Sequence, residues 1–154
     1  MYKRQALNVL PGVDAAVVVC EPEPEKALAL APVLKTLEAN NIPHMIFVNK
    51  IDKATVSVND VINGLKSASS LPLLVRHMPI IDGETISGYI DLAAERAYVY
   101  KDNEPSAIVD VPSNTEEEFE SARYHMLETL ADFDDDLMEK VLEDIAPELS
   151  LIHI

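Results

Sequence analysis

Cysteine occurs once in the 154 residues, at Cys20, so an internal disulfide framework is impossible. A reducing compartment, the cytoplasm, is expected. Cys20 follows Ala15-Ala16-Val17-Val18-Val19, which predicts a buried structural thiol rather than a nucleophile. No apolar stretch approaches the roughly 18 residues that a membrane span requires, and no charged-then-apolar signal segment opens the chain, so no membrane partner is expected. Aromatic residues are few, and positive charge is scarce: 12 Lys and Arg face 27 Asp and Glu, a net charge of -15. Phosphates are repelled by such a surface. That argues against direct DNA binding and leaves room for a basic protein partner. The length suffices for a domain with a real core.

Both ends look foreign. Met1-Tyr2-Lys3-Arg4-Gln5 can be written GTG TAT AAG AGA CAG, with GTG read as a start. The reverse complement, CTG TCT CTT ATA CAC, encodes Leu149-Ser150-Leu151-Ile152-His153. One DNA word in opposite senses thus accounts for both termini, and it resembles a transposon end used in sequencing-library preparation. Residues 1–5 and 149–154 are therefore read as library scars and set aside. The expectation is that residues 6–148 are an internal piece of a longer protein.

Ala15 to Cys20 is a continuous apolar run with β-branched valines at its centre, predicted as a strand buried on both faces of a parallel sheet. Glu21-Pro22-Glu23-Pro24 breaks it. Leu30, Val33, Leu34 and Leu37 follow at helical spacing, with Pro32 expected to kink or restart the helix. Asn40-Asn41 ends that helix, and a second strand is predicted from His44 to Val48. A further helix near 57–68 carries Val58, Val61, Ile62 and Leu65 on one face. From Leu71 the character changes. Residues 72–80 read as a strand, Asp82-Gly83 as a hairpin turn and Thr85 to Ile90 as its partner. Glu95 to Tyr100 and Ala107 to Val111 are two more strand candidates. Thr115 with Glu118 forms a capping-box signature. Behind it Phe119, Ala122, Met126, Leu127 and Leu130 line a helix. Asp134-Asp135-Asp136 opens another, with Leu137, Met138, Val141 and Leu142 toward the core. The boundary is expected near residues 69–71: a strand-helix-strand-helix segment over 6–70, then a small antiparallel sheet with two helices over 71–148.

The run PHMIFVNKIDK ends its apolar strand in Asn49-Lys50-Ile51-Asp52. Guanine presents two donors on one edge, N1–H and the N2 amine, and an ionised carboxylate offers two acceptors in one plane. Asp52 can take both. Such charge-assisted bonds are worth roughly 1.5–3 kcal/mol each. Adenine would leave the carboxylate facing a ring lone pair, and sites of this kind reject the wrong ligand by about 10⁴-fold or more. Asn49 can bond the far edge of the purine and brace the loop. The Lys50 stem can lie along the ring while its ammonium reaches toward ribose or phosphate. Ligands of open α/β sheets bind beyond the carboxyl ends of the strands, where this word stands. As a bare pattern NKxD is weak; after an apolar strand it is much more specific.

From Leu7 to about Glu148 the chain resembles the middle of a translational GTPase of the elongation factor G family, in particular its bacterial elongation factor G-like members. VDAAVVVCEPEPEKALALAPVLKTLE, IPHMIFVNKIDKA, ISGYIDLAAERAYVY and LADFDDDLMEKVLED stand in that family's order. The resemblance implies a partial P-loop GTPase-type α/β parallel sheet followed by an inserted α+β subdomain. Asn49, Lys50 and Asp52 would contact the base of GTP or GDP, and the ribosome would be the partner. A GxxxxGK loop ending in Ser or Thr, DxxGH and a downstream Ser-Ala loop are all absent. Leu10-Pro11-Gly12 imitates a DxPG element, but Val9 stands where the metal-linked aspartate would be. The phosphate, Mg2+ and water-activating parts are expected outside this piece, which alone should neither hydrolyse GTP nor hold it tightly.

Other signals are weaker. His44, His77 and His125 are scattered without zinc-site spacing. Asp132, Asp134, Asp135 and Asp136 lack the glycine and closing glutamate of a calcium loop and suit a helix start. Glu116-Glu117-Glu118-Glu120 reads as a solvated face or as a docking surface for the stalk protein of the ribosome, which the resemblance implies faces this subdomain. Two alternatives stay open: a non-catalytic acidic binding module with a vestigial nucleotide site, and another ribosomal GTPase of the release-factor or ribosome-protection type.

Overall fold

The first β-branched run forms β1, Ala16–Cys20. In the computed structural model of the chain the described residues are 9–54, 56, 58–83 and 85–143. The termini read as scars lie outside them. The chain divides into two units between Leu73 and Leu74.

In the first unit the helical stretch after β1 is broken in two, α1 over Pro24–Leu28 and α2 over Ala31–Ala39. Each begins with proline in its first turn, where a missing N–H is harmless. Pro32 therefore restarts the helix, as its position predicts. Leu30, Val33, Leu34 and Leu37 all pack with Val18, Ile42 and Ile46. Asn40 closes α2 by donating from Nδ2 to the Thr36 carbonyl at 2.7 Å. Asn41 then turns the chain out at φ 53°. β2, His44–Val48, runs parallel to β1, with Ala16 opposite His44 and Cys20 opposite Val48. α3, Val58–Ala68, adds Val61 and Leu65 to a cluster with Cys20 and Ala27.

β1 is not covered on both faces. Val18 and Cys20 are buried under the helices, but Val17, Val19, Met45 and Phe47 are each more than half exposed. A continuous apolar run cannot say which helices will cover it. Among the described residues of this unit the helices pack only on the Val18 side.

The second unit is a four-stranded antiparallel meander in the order β3-β4-β5-β6: His77–Asp82, Thr85–Asp91, Arg96–Lys101 and Glu104–Val109. It is followed by α4, Glu116–Ala131, and α5, Asp135–Leu142. Taken together, the chain is α/β in its first unit and α+β in its second. β3 starts at His77 rather than at residue 72, because the side chain of Leu73 is committed to the first unit's core. Asp102-Asn103 forms a tight turn, with Asn103 at φ 59° and Lys101 opposite Glu104. β6 therefore begins three residues earlier than its composition suggested. Glu95 also leaves its predicted strand and sits in a turn at φ 54°.

Asp91 organises that turn. Its Oδ1 accepts the N–H groups of Ala93 and Ala94, both at 3.0 Å. Its Oδ2 takes Arg76 at 3.0 Å. Burial pushes the Asp91 carboxyl up, but the Ala94 N–H, the Arg76 guanidinium and the Ala93 N–H outweigh it and hold the group below the usual carboxylate range. Ile80, Ile90 and Ala97 then meet Phe119, Met126, Leu127, Ala131 and Leu137 in one core. Ala122, Leu130, Met138 and Val141 pack on it as their spacing predicts, whereas Leu142 is exposed at the end of α5.

The two helix starts differ. Asp134 caps α5, accepting from Asp136 N–H at 3.0 Å and Leu137 N–H at 3.1 Å. Thr115 makes no capping box; its hydroxyl donates to the Pro112 carbonyl at 2.9 Å. Its ψ of 2° is outside the extended region that a side-chain cap needs.

Gly88 has no room for a side chain: a Cβ would lie 2.1 Å from the Tyr98 carbonyl oxygen. Gly88→Ala should destabilise the second unit by about 2 kcal/mol or more, read from urea unfolding. The Asp91 contribution is complete above the ordinary carboxylate value of about 4 and lost as pH falls through its lower folded value. Asp91→Asn should therefore flatten the loss of stability on acidification, measured by thermal unfolding across pH.

Candidate functional site

The parallel pairing of β1 and β2 ends both strands at the same edge. The ladder runs one residue further, because the Asn49 N–H donates to the Cys20 carbonyl at 2.8 Å. The next residue leaves the sheet plane. Lys50 takes the left-handed conformation, φ 57° and ψ 37°, and Ile51–Lys53 closes a 3-10 turn. The Lys53 N–H bonds the Lys50 carbonyl at 2.9 Å. Asn49 Oδ1 accepts the Lys50 N–H at 3.0 Å, which stiffens the corner. A left-handed non-glycine residue costs about 1 kcal/mol, so the ladder bond below it and the turn above it must hold it.

Asn49, Lys50 and Asp52 are all exposed, and Ile51 between them is half-buried. The chain thus anchors the loop by its apolar residue and presents the three polar ones to solvent at the carboxyl edge. Among the described residues the Asp52 carboxylate has no hydrogen-bond or ion-pair partner. An unengaged carboxylate at that edge suits a ligand with two adjacent donors.

Glu21 is the part of the site that the sequence did not reveal. It is the first residue after β1 and accepts the Lys50 ammonium at 2.5 Å, joining the ends of the two strands. The same carboxylate also accepts Lys26, and Lys26 reaches Glu23 at 2.8 Å. Hydrogen bonds from Lys26 and then Lys50 pull the Glu21 carboxyl down to about 2. In the sequence this residue reads only as part of a Glu-Pro strand breaker. The available signal was its register: the first residue beyond one parallel strand lies beside the first residues beyond its neighbour.

The remaining candidates do not converge. Burial pushes the Cys20 thiol up, which suits a structural role. His44 Nδ1 lies 3.0 Å from the Ile42 carbonyl, His77 lies against Asp91, and His125 lies against Glu128. Among the described residues no group of three or more His, Cys, Asp or Glu could hold a metal, and no helix is long and apolar enough to cross a membrane. Glu116, Glu117, Glu118 and Glu120 are exposed on the first turns of α4.

No protein-family model matches the chain. It is 40% identical over 146 residues to the elongation factor G-like protein of Synechocystis sp., covering 95% of this chain and 22% of that protein. Elongation factor G 1 of Borreliella burgdorferi is 33% identical over 141 residues, covering 90% of this chain and 20% of the relative. A crystal structure of a protein from Thermus thermophilus superposes with a TM-score of 0.76 at 27% identity, over 91% of this chain and 21% of that one. The chain therefore spans about a fifth of the length of the relatives it matches. Sequence and fold together identify it as a homologue of one segment of the elongation factor G family.

Proposed function

We propose that the first unit reads guanine for a translational GTPase. Asp52 accepts N1–H and the N2 amine of the base, Asn49 bonds its far edge, and the Lys50 stem lies along the ring. Glu21 is a positioning residue that holds the Lys50 ammonium at the strand ends. The observation that carries this reading is the Asp52 carboxylate, exposed and without a partner among the described residues, at the carboxyl edge of a parallel strand pair. The names of the relatives, elongation factor G 1 and elongation factor G-like protein, support a place in protein synthesis. The wider setting of this reading is a longer cytoplasmic protein that binds GTP or GDP and couples hydrolysis to a step on the ribosome.

Residues 6–73 would belong to its GTP-binding domain and residues 74–148 to an inserted subdomain, a division three residues later than the sequence alone suggests, with library scars outside them. The acidic start of α4 is the surface proposed for the ribosomal stalk protein. The Mg2+ that the resemblance implies finds no ligand cluster among the described residues, so no step here runs through it. The chemistry of these residues is recognition of the base alone.

In the full-length protein, Asp52→Asn replaces an acceptor by an amide donor, which suits the carbonyl of xanthine and opposes the amine of guanine. GDP affinity should fall by about tenfold or more while xanthosine diphosphate gains, read by calorimetry. Unchanged GDP affinity would remove the base-reading role. The Glu21 role has a separate readout. Glu21→Gln should raise the rate of chemical acylation at Lys50 by about two- to fivefold, the span that an exposed ion pair sustains. Lys53, outside the pair, should be unaffected when both are followed by mass spectrometry.

A further inference from the structure

The outward face of the second unit's sheet has no part in that reading. Strand register places Pro79, Tyr89, Tyr98 and Ile108 in one row across all four strands. The opposite face sends Ile80, Ile90 and Ala97 into the core. Tyr89 and Tyr98 stack with centroids 4.9 Å apart and planes 10° from parallel. His77 meets Tyr89 edge-on at 5.0 Å, and Tyr100 lies 6.2 Å from it. The rings support one another across strands, so the platform is rigid. It is also open: Tyr100 is 53% and Ile108 63% exposed.

Charge decides what such a platform can take. Open sheets bearing aromatic rings often stack nucleic-acid bases. Here the cations of the face are already matched, Arg76 by Asp91 at 3.0 Å and Arg96 by Asp110 at 3.5 Å. Asp110 and Glu104 stand exposed at its rim. The whole chain carries -15. A phosphate backbone entering this field is repelled. A guanidinium is drawn by the carboxylates and by the negative faces of the tyrosine rings, and its plane can lie flat on them. We propose that this face docks an arginine-rich segment of a protein partner. The inference stands on the second unit alone, and it concerns a surface separate from the acidic start of α4.

The test uses fluorescein-labelled nona-arginine titrated with the 154-residue chain near physiological salt, followed by anisotropy. Tyr100→Leu keeps apolar bulk and removes the ring face; it should weaken binding about two- to fivefold, whereas Tyr100→Phe should stay within about twofold of the parent. Circular dichroism checks that each variant folds. In the unmodified chain the peptide should also shift the ring-proton resonances of Tyr98 and Tyr100, a readout that needs no variant. Parent-like binding by folded Tyr100→Leu, or unmoved ring resonances, overturns the proposal. Tighter binding of an octa-uridine RNA than of the peptide does so too. Loss of binding only on Glu116→Gln, Glu117→Gln and Glu118→Gln together would overturn it while leaving the helix-docking reading intact.

Discussion

One backbone hydrogen bond sets the geometry of the first unit's edge. The Asn49 N–H reaches across to the Cys20 carbonyl and carries the parallel ladder one residue past the last strand position. Because the strands are parallel and in register, their first loop residues emerge side by side. Glu21 can therefore meet Lys50 although 29 residues separate them in sequence. The left-handed turn at Lys50 then swings Asp52 clear of the strands. Without that final ladder bond neither the ion pair nor the exposed carboxylate would have a defined place.

The second unit solves a different problem. An antiparallel meander has two faces, and here they are chemically opposite. One packs aliphatic side chains against α4 and α5; the other carries tyrosines, a histidine and paired charges. Two tight local constraints hold the strands in the register that separates these faces. Gly88 lets the β5 backbone come closer than any side chain would permit. Asp91 gathers two backbone N–H groups and a guanidinium where β4 turns toward β5. Arg123 of α4 ties the same turn down by donating to the Leu92 carbonyl at 2.8 Å and pairing with Glu95 at 2.6 Å.

The acidity of the chain shapes both units. Carboxylates outnumber cations by more than two to one, so a lysine or arginine placed among them readily finds a partner. Lys26 and Lys50 share Glu21, Arg76 takes Asp91 and Arg123 takes Glu95. Most such pairs lie at the surface, where each contributes little to stability. Their larger effect is to hold side chains in place and to leave surplus negative charge facing outward, which favours cationic partners over phosphate-bearing ones.

Local patterns carried much of the architecture. The β-branched run of β1, the prolines at helix starts, the helical spacing of Phe119 to Leu130 and the capping Asp134 each express a short-range preference that survives in the fold. So does the order of the residues that resemble the elongation factor G family, which the relatives bear out. The polar residues of the NKxD word and their place after a strand were legible for the same reason. Pairing and covering were not. A run such as Val17-Val18-Val19 is equally apolar whether one face is covered or two. Nothing within Leu71 to Arg76 says that Leu73 belongs to one core and Val75 to another. Glu21 became part of the site only once β1 and β2 lay side by side. The tyrosine row needed the register of four strands to exist. Those features depend on which distant segments meet, and that is decided by tertiary packing rather than by any stretch of sequence read alone.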